Sequence, residues 1–280
     1  MSESRVRVAA IADLHCTKAS HGAFQPLFAR IAEAADLLLI AGDLTDYGLP
    51  EEARVLAREL AGTRIPVAAV LGNHDVESGR ADEVKKILAD AGLVILDGDA
   101  CDVLGVGVAG VKGFGGGFGK RALGPWGETI IKQFVREAVD EALKLETALA
   151  RLRARRPVAL LHYSPVQQTV EGEPPEIYAF LGSSRLEEPM GRYPVSFVLH
   201  GHAHRGQLQG ATATGVPVYN VSMPLLTRTF AGRPPFRVFE VPVGEEAASG
   251  LPPGQAPAPG RAPAAPTVVR GRRATDAAAS

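Results

Sequence analysis

Over the first hundred residues, short and nearly uninterrupted apolar runs alternate with amphipathic stretches. Val6 to Ala12, Asp36 to Ala41 and Ile65 to Leu71 read as strands. Gly22 to Ala35, Glu51 to Ala61 and Ala81 to Ala91 place apolar residues at the spacing of a helix face, and Gly92 stands where a helix C-terminal glycine belongs. Strands without polar alternation are buried on both faces, which predicts the βαβ layout of an α/β protein. From Leu93 the texture changes. Leu93 to Leu96 and Val103 to Val111 predict strands about a turn at Asp97-Gly98-Asp99. A glycine-rich run from Gly113 to Gly119 follows, then a helix from about Glu128 to Arg155 whose apolar stripe includes Val135, Ala142, Leu145 and Leu149. Strands at Val158 to Leu161, Ser196 to Leu199, Gly206 to Ala213, Pro217 to Val221 and Phe236 to Val241 come with no long helix between the later ones. A second, largely antiparallel sheet is expected from them. Beyond Val243 the chain turns to alanine, proline and glycine with no apolar period. The division is therefore a domain over residues 1–243 and a disordered tail over 244–280.

Composition narrows the class. Of 280 residues, 46% are hydrophobic and 22% charged, which suits a globular protein. Thirty basic against thirty-one acidic residues leave a net charge of −1, against a dedicated nucleic-acid binder, which needs a basic surplus. Two cysteines, Cys16 and Cys101, make no disulfide framework, so a reducing compartment is expected. The longest apolar runs fall far short of the roughly twenty residues of a membrane span, and the N-terminus reaches Asp13 too soon for a secretory leader. A cytoplasmic protein with no membrane partner is the expectation.

The chemistry sits at the predicted strand ends. Asp13-Leu14-His15, Gly42-Asp43, Gly72-Asn73-His74-Asp75, His162 and Gly201-His202-Ala203-His204 occur in that order. Residues two apart on a strand point the same way, so Asp13 with His15, and His202 with His204, can each aim two groups into one cavity. Carboxylates, an amide and imidazoles without a thiolate suit Mn, Fe or Zn ions. Seven candidate ligands are too many for one ion and about right for two sharing a carboxylate. Five of the seven histidines fall in these motifs, more than structural packing explains.

The ordered set resembles the calcineurin-like metallophosphoesterase family, whose pattern D-x-H, GD, GNH(D/E), H and GHxH is filled at every position over about residues 5–240. The resemblance implies an α/β fold, a four-layer αββα sandwich of two mixed β-sheets flanked by helices. By the same resemblance Asp13, His15, Asp43 and His204 hold a first metal, and Asp43 bridges to a second completed by Asn73, His162 and His202. His74 lies beside the substrate phosphate as a catalytic residue rather than a ligand. Asp75 either orients His74 or caps the helix that follows. The implied reaction is phosphoester hydrolysis by a hydroxide shared between two metals, with His74 protonating the leaving oxygen or steadying the phosphate oxygens.

The motif variants resemble the small bacterial-type branch that includes class III cyclic nucleotide phosphodiesterases. A phosphodiesterase of small, cyclic-nucleotide-like substrates is the leading expectation. A phosphomonoesterase on the same scaffold is the alternative, and a non-catalytic protein-binding scaffold the third, disfavoured because no motif ligand is missing. Of the remaining features, Cys16 reads as a small buried hydrophobe. Thr45 and Asp46 read as turn and capping residues. The Gly113 to Gly119 segment lacks the lysine and hydroxyl ending of a P-loop and reads as a flexible loop at the site mouth, where Phe114, Phe118, Lys120 or Trp126 could meet substrate. His200 reads as a packing residue behind the ligands.

Overall fold

Successive residues along each strand face opposite cores, and this alternation builds the layers. In the computed structural model, which describes residues 4–153, 157–243 and 267–269, Val8 and Ala10 of β1 (Ser4–Ile11) face one core while Ala9 and Ile11 face another. The same split runs through β2 (Leu37–Ala41), where Leu37 and Leu39 point inward and Leu38 and Ile40 outward. With β3 (Val67–Val70) and β4 (Val94–Leu96) these make a parallel sheet, closed at its far edge by β11 (Arg237–Val243) antiparallel to β1. Three helices cover its outer face: α1 (Gln25–Ala34), α2 (Pro50–Leu60) and α3 (Ala81–Asp90), through Phe28, Ile31, Leu56, Val84 and Leu88.

The second sheet has the order β12-β5-β6-β7-β8-β10-β9. Its strands are β5 (Asp99–Val103), β6 (Val106–Gly110), β7 (Val158–Leu160), β8 (Phe197–His200), β9 (Gln209–Ala211), β10 (Pro217–Asn220) and β12 (Thr267–Val269). Its inner face packs on the first sheet through Val106, Val108, Leu160 and Leu199. Its outer face is covered by α4 (Thr129–Arg151), which buries Leu145 and Leu149 there. Two shorter helices, α5 (Tyr178–Leu181) and α6 (Met223–Thr229), lie in the connections. The expected four-layer αββα sandwich is what forms.

Three expectations about the second half are corrected. The sheet is not largely antiparallel: β6, β7, β8 and β10 run parallel, and antiparallel pairing is confined to its edges. Parallel neighbours need a crossover, and α4 supplies one between β6 and β7. Secondly, the single strand expected over Val103 to Val111 is the second half of a hairpin, turned at Leu104 (φ 56°) and Gly105 (φ 80°) as a two-residue loop demands. Thirdly, the last long strand joins the first sheet, because alternation along a sequence does not say which edge a strand will reach. Of the tail, residues 244–266 and 270–280 lie outside the described residues. Between them Thr267–Val269 pairs antiparallel with β5.

Candidate metal centre

Every predicted motif leaves the carboxyl end of a parallel strand. Asp13, Asp43, His162 and His202 each stand two residues beyond the last residue of β1, β2, β7 and β8, and Gly72-Asn73-His74 follows β3. Loops from both sheets therefore meet at one edge of the sandwich, where α/β sheets gather their ligands. Strand alternation is not what pairs Asp13 with His15 or His202 with His204. These residues lie past the strand ends, and Asp13 (φ 59°), His15 (φ 46°), Asp43 (φ 49°) and His202 (φ 69°) adopt left-handed backbone. Only one other non-glycine residue among those described, Leu104, does so. Such conformations cost on the order of 1–3 kcal/mol each and persist only where the surroundings impose them. Here hydrogen bonds between loops impose them: Asp13 N donates to Gly42 O (3.0 Å), His15 N to Asp43 O (3.0 Å) and His202 N to the Asp13 carboxylate (3.0 Å).

The motif glycines have a packing reason. A Cβ on Gly42 would collide with the His162 ring, one on Gly72 with the Asp43 carboxylate, and one on Gly201 with Asp13 and Ala12. In each case the methyl group would occupy space that a candidate ligand needs.

Two ligand clusters result. Donor atoms of Asp13, His15 and His204 lie within 4.8 Å of one another, as do those of Asp43, His162 and His202. Asp43 stands between the clusters, with Oδ2 3.7 Å from His15 Nε2 and Oδ1 3.4 Å from His162 Nε2. Asn73 Oδ1 lies 2.9 Å from His162 Nε2, and His204 Nε2 lies 3.2 Å from Asp13 Oδ1. All seven sequence-predicted ligands are thus brought together.

The residues fit metal ions by a test internal to the site. His162 Nδ1 donates to Ala41 O (2.9 Å), His202 Nε2 to Phe180 O (3.0 Å) and His15 Nδ1 to Asp46 Oδ1 (3.2 Å). A hydrogen bond at one ring nitrogen fixes the tautomer and leaves the other nitrogen's lone pair for a metal. His15 Nε2 is buried with no hydrogen-bond partner, an expensive arrangement unless a cation takes the lone pair.

Electrostatics follow from this crowding. Burial opposes ionisation of Asp43, yet the charge and hydrogen bond of His162 hold its carboxyl well below the usual range. In return His162, despite its burial, is raised to about 9 by Asp43 and Asp13. Burial, and then the charge of His162, lower His202 to about 4. Burial likewise lowers His15, whereas the hydrogen bond to Asp13 raises His204.

His74 stands where a proton donor would be useful. Its ring meets that of His15 edge-on at 4.5 Å, and its Nδ1 donates to Asp46 O (2.6 Å), leaving Nε2 free. Its backbone N donates to Asp43 Oδ1 (3.0 Å). Asp75 does not orient it. The Asp75 carboxylate is fully buried and accepts from Leu44 N, Thr45 N, Thr45 Oγ1 and Gly72 N at 2.6–3.0 Å. It ties the β2 loop to the β3 loop, and burial with the nearby charge of Asp43 raises its pKa to about 6.

Sequence reasoning missed Asp46. Read as a turn residue, it holds His15 through its carboxylate and His74 through its carbonyl, and its carboxylate forms a third triplet with His15 and His74. Its place three residues after Asp43 in one loop was the available signal, but which side chains it faces depends on the folded loop. His200 behaves as expected, fully buried between Thr169 Oγ1 (2.8 Å) and Gly201 O (2.8 Å). Cys16 is buried, and burial pushes its thiol up to about 12. The glycine run is not a loose loop. Gly116 N donates to Ala179 O (2.7 Å) and Gly117 N to Gly182 O (2.9 Å), and a Cβ on Gly115 would press on Ala179 O. Of its predicted substrate contacts, Phe118 is buried, Phe114 packs on Phe134 and Tyr163, and Lys120 and Trp126 are exposed.

Residues 6–206 match the family model described as calcineurin-like phosphoesterase. A search of the curated proteins found no match. Among solved structures, the phosphopantetheinyl hydrolase of Mycobacterium tuberculosis is similar with a TM-score of 0.63 at 16% identity, over 90% of this chain and 100% of that one. A putative 5′-nucleotidase from Staphylococcus aureus is similar with a TM-score of 0.49 at 14% identity, over 78% of this chain and 48% of that one. A Thermus thermophilus protein, TT1561, gives a TM-score of 0.48 at 16% identity, over 86% of this chain and 100% of that one. At 16% identity the first of these likenesses shows the fold alone.

Proposed function

We propose that this chain, which belongs to the calcineurin-like phosphoesterase family and is a metal-dependent hydrolase, acts as a phosphodiesterase on small nucleotide-like substrates. The observation that carries the two-metal reading is the division of Asp43, whose two oxygens face separate clusters at 3.7 and 3.4 Å. The first cluster is Asp13, His15, Asp43 and His204; the second is Asp43, Asn73, His162 and His202. Two divalent ions held there would supply an acidified water and charge neutralisation at the phosphate oxygens. Manganese, iron and zinc all suit this donor set.

The chain's own groups do the rest. His74 Nε2, left free by the bond from Nδ1 to Asp46, is placed to hold a proton for the leaving oxygen. An alkoxide is a strong base and hard to expel unaided, from a diester or a monoester, so a proton donor there favours hydrolysis of either. A second reading, phosphomonoester hydrolysis, draws support from Arg228, whose Nη2 donates to His204 O at 3.0 Å. It brings a cation to the backbone of a candidate ligand of the first cluster, and a monoester carries the extra negative charge that such a cation favours. No described helix is long and apolar enough to cross a membrane.

The test is to strip the protein of metal, restore Mn²⁺, and compare an aryl phosphodiester with an aryl phosphomonoester. Turnover favouring the diester, absent without metal and lost in Asp43→Ala and His74→Ala, is the expected result. Monoester preference would select the second reading, and full activity in Asp43→Ala would end the two-metal one.

A further inference from the structure

Four ring contacts and one hydrogen bond close a circuit beside His202. The His202 ring lies 4.5 Å from Tyr163, Tyr163 5.9 Å from Phe114, Phe114 4.8 Å from Phe134, and Phe134 6.1 Å from Phe180. Phe180 O then accepts from His202 Nε2 at 3.0 Å, which returns the circuit to its start. Exposure rises along this wall. Tyr163 is 7% exposed, packed against the ligand rings, whereas Phe180 is 59% exposed. Ile177, three residues earlier on the same helical turn and so on its face, is 38% exposed.

Isolated exposed hydrophobes need no explanation, but this one continues directly from the metal centre. Its backbone is also held firmly. The glycine run passes beneath it, with Gly116 N bonded to Ala179 O, and a Cβ on Gly115 would collide with that same Ala179 O and press on the Phe180 backbone. A rigid aromatic ring that costs little entropy to use is a good surface for a flat partner. Among the described residues the nearest cation of the wall, Lys112 Nζ, sits not over Phe180 but over Phe114 and Tyr163, at 5.0 and 5.3 Å.

We propose that Phe180, backed by Ile177, is a specificity-determining shelf that receives a planar aromatic group of the substrate, of which a nucleobase is the natural class, while the phosphate is held at the clusters. This rests on the phosphoesterase reading above but not on the diester choice within it. Aromatic pairs add about 0.5–1.5 kcal/mol beyond area burial, a roughly two- to twelvefold effect.

Non-hydrolysable phosphonates separate stacking from catalysis. Titration calorimetry on the Mn²⁺-loaded full chain would compare phenylphosphonate, cyclohexylphosphonate and methylphosphonate. The wild type is expected to bind the phenyl compound about fivefold tighter than the cyclohexyl one. Phe180→Ala should abolish that preference, Phe180→Trp should keep it, and Phe180→Leu should lose it while still preferring cyclohexyl to methyl. Equal phenyl and cyclohexyl affinities in the wild type, or an unchanged preference in a folded Phe180→Ala or Phe180→Leu, would overturn the shelf. Hydrolysis of bis(p-nitrophenyl) phosphate, measured alongside, keeps the two claims apart. Turnover without phenyl preference removes the shelf and leaves the enzyme, whereas phenyl preference without turnover removes the diesterase reading and leaves the shelf.

Discussion

The two ligand clusters are held in place by different means. In the second, the imidazoles of His162 and His202 donate to backbone carbonyls, Ala41 O and Phe180 O, and His162 is fully buried. In the first, His15 donates to a side chain, the Asp46 carboxylate, and the His15 and His204 side chains are 21% and 38% exposed. A carbonyl cannot be removed by substitution, whereas a carboxylate can. The second cluster is thus built into the fold, while the first is adjustable at a single side chain and opens toward solvent, where His74 also stands.

Asp43 belongs to both clusters, so its loss should erase the difference. Asp43→Ala is expected to reduce bound metal from two ions to fewer than one per chain by elemental analysis. Losing several kcal/mol of charge stabilisation corresponds to a rate loss of about 10³-fold or more. Retention of two ions would show that the clusters do not share this carboxylate.

Asp46→Asn should separate the clusters instead. An amide keeps the shape but not the charge that orients His15, and losing such a partner costs roughly 10–100-fold in metal affinity. Stepwise metal titration should show one weakened site and one unchanged. Equal weakening of both would mean that Asp46 acts on the loop as a whole.

The pH dependence tests the contrast from the other side. His162 is raised to about 9, so without metal it is protonated at neutral pH, and an ion must displace that proton. Affinity at the second cluster should therefore rise by about tenfold per pH unit as pH approaches 9, then level off. Proton release measured calorimetrically in two buffers of different ionisation enthalpy checks the sign. Affinity that falls with rising pH would contradict it.

A modest effect is expected at Asp97, which belongs to neither cluster. Burial would raise Asp97, but hydrogen bonds and charge from Lys85 and Lys144 hold it below its usual range. Its contribution to stability is present above the unfolded pKa of about 3.9 and lost as pH falls through the lower folded value. Because the side chain is 39% exposed, solvent screening limits this to a few tenths of a kcal/mol. Asp97→Asn should lower the melting temperature slightly at pH 7, have a vanishing effect toward pH 3, and leave metal binding alone.

Much of this was legible from residue order. The five motifs spaced along the chain named the seven candidate ligands and, with the family resemblance, His74, because ligand chemistry restricts which residue types can stand at strand ends. The parallel first sheet was equally clear, since Leu37 to Ala41 is apolar at every position and must be buried on both sides. Asp75 and Asp46 were exchanged in importance. Both are acids in motif loops, and only hydrogen bonds across thirty residues of chain distinguish the one that ties loops from the one that holds imidazoles.

Residue order was enough to establish the alternating strands and helices of the first half and the candidate ligands, because these follow from local periodicity and from the valence of each side chain, while the layers were what the family resemblance implied. Folding in three dimensions was needed for the parallel centre of the second sheet, the left-handed backbone at four ligands, and the aromatic wall that ends at Phe180. Those features arise where distant segments meet, and a one-dimensional pattern carries hydrophobicity and charge but not the register in which two segments come together.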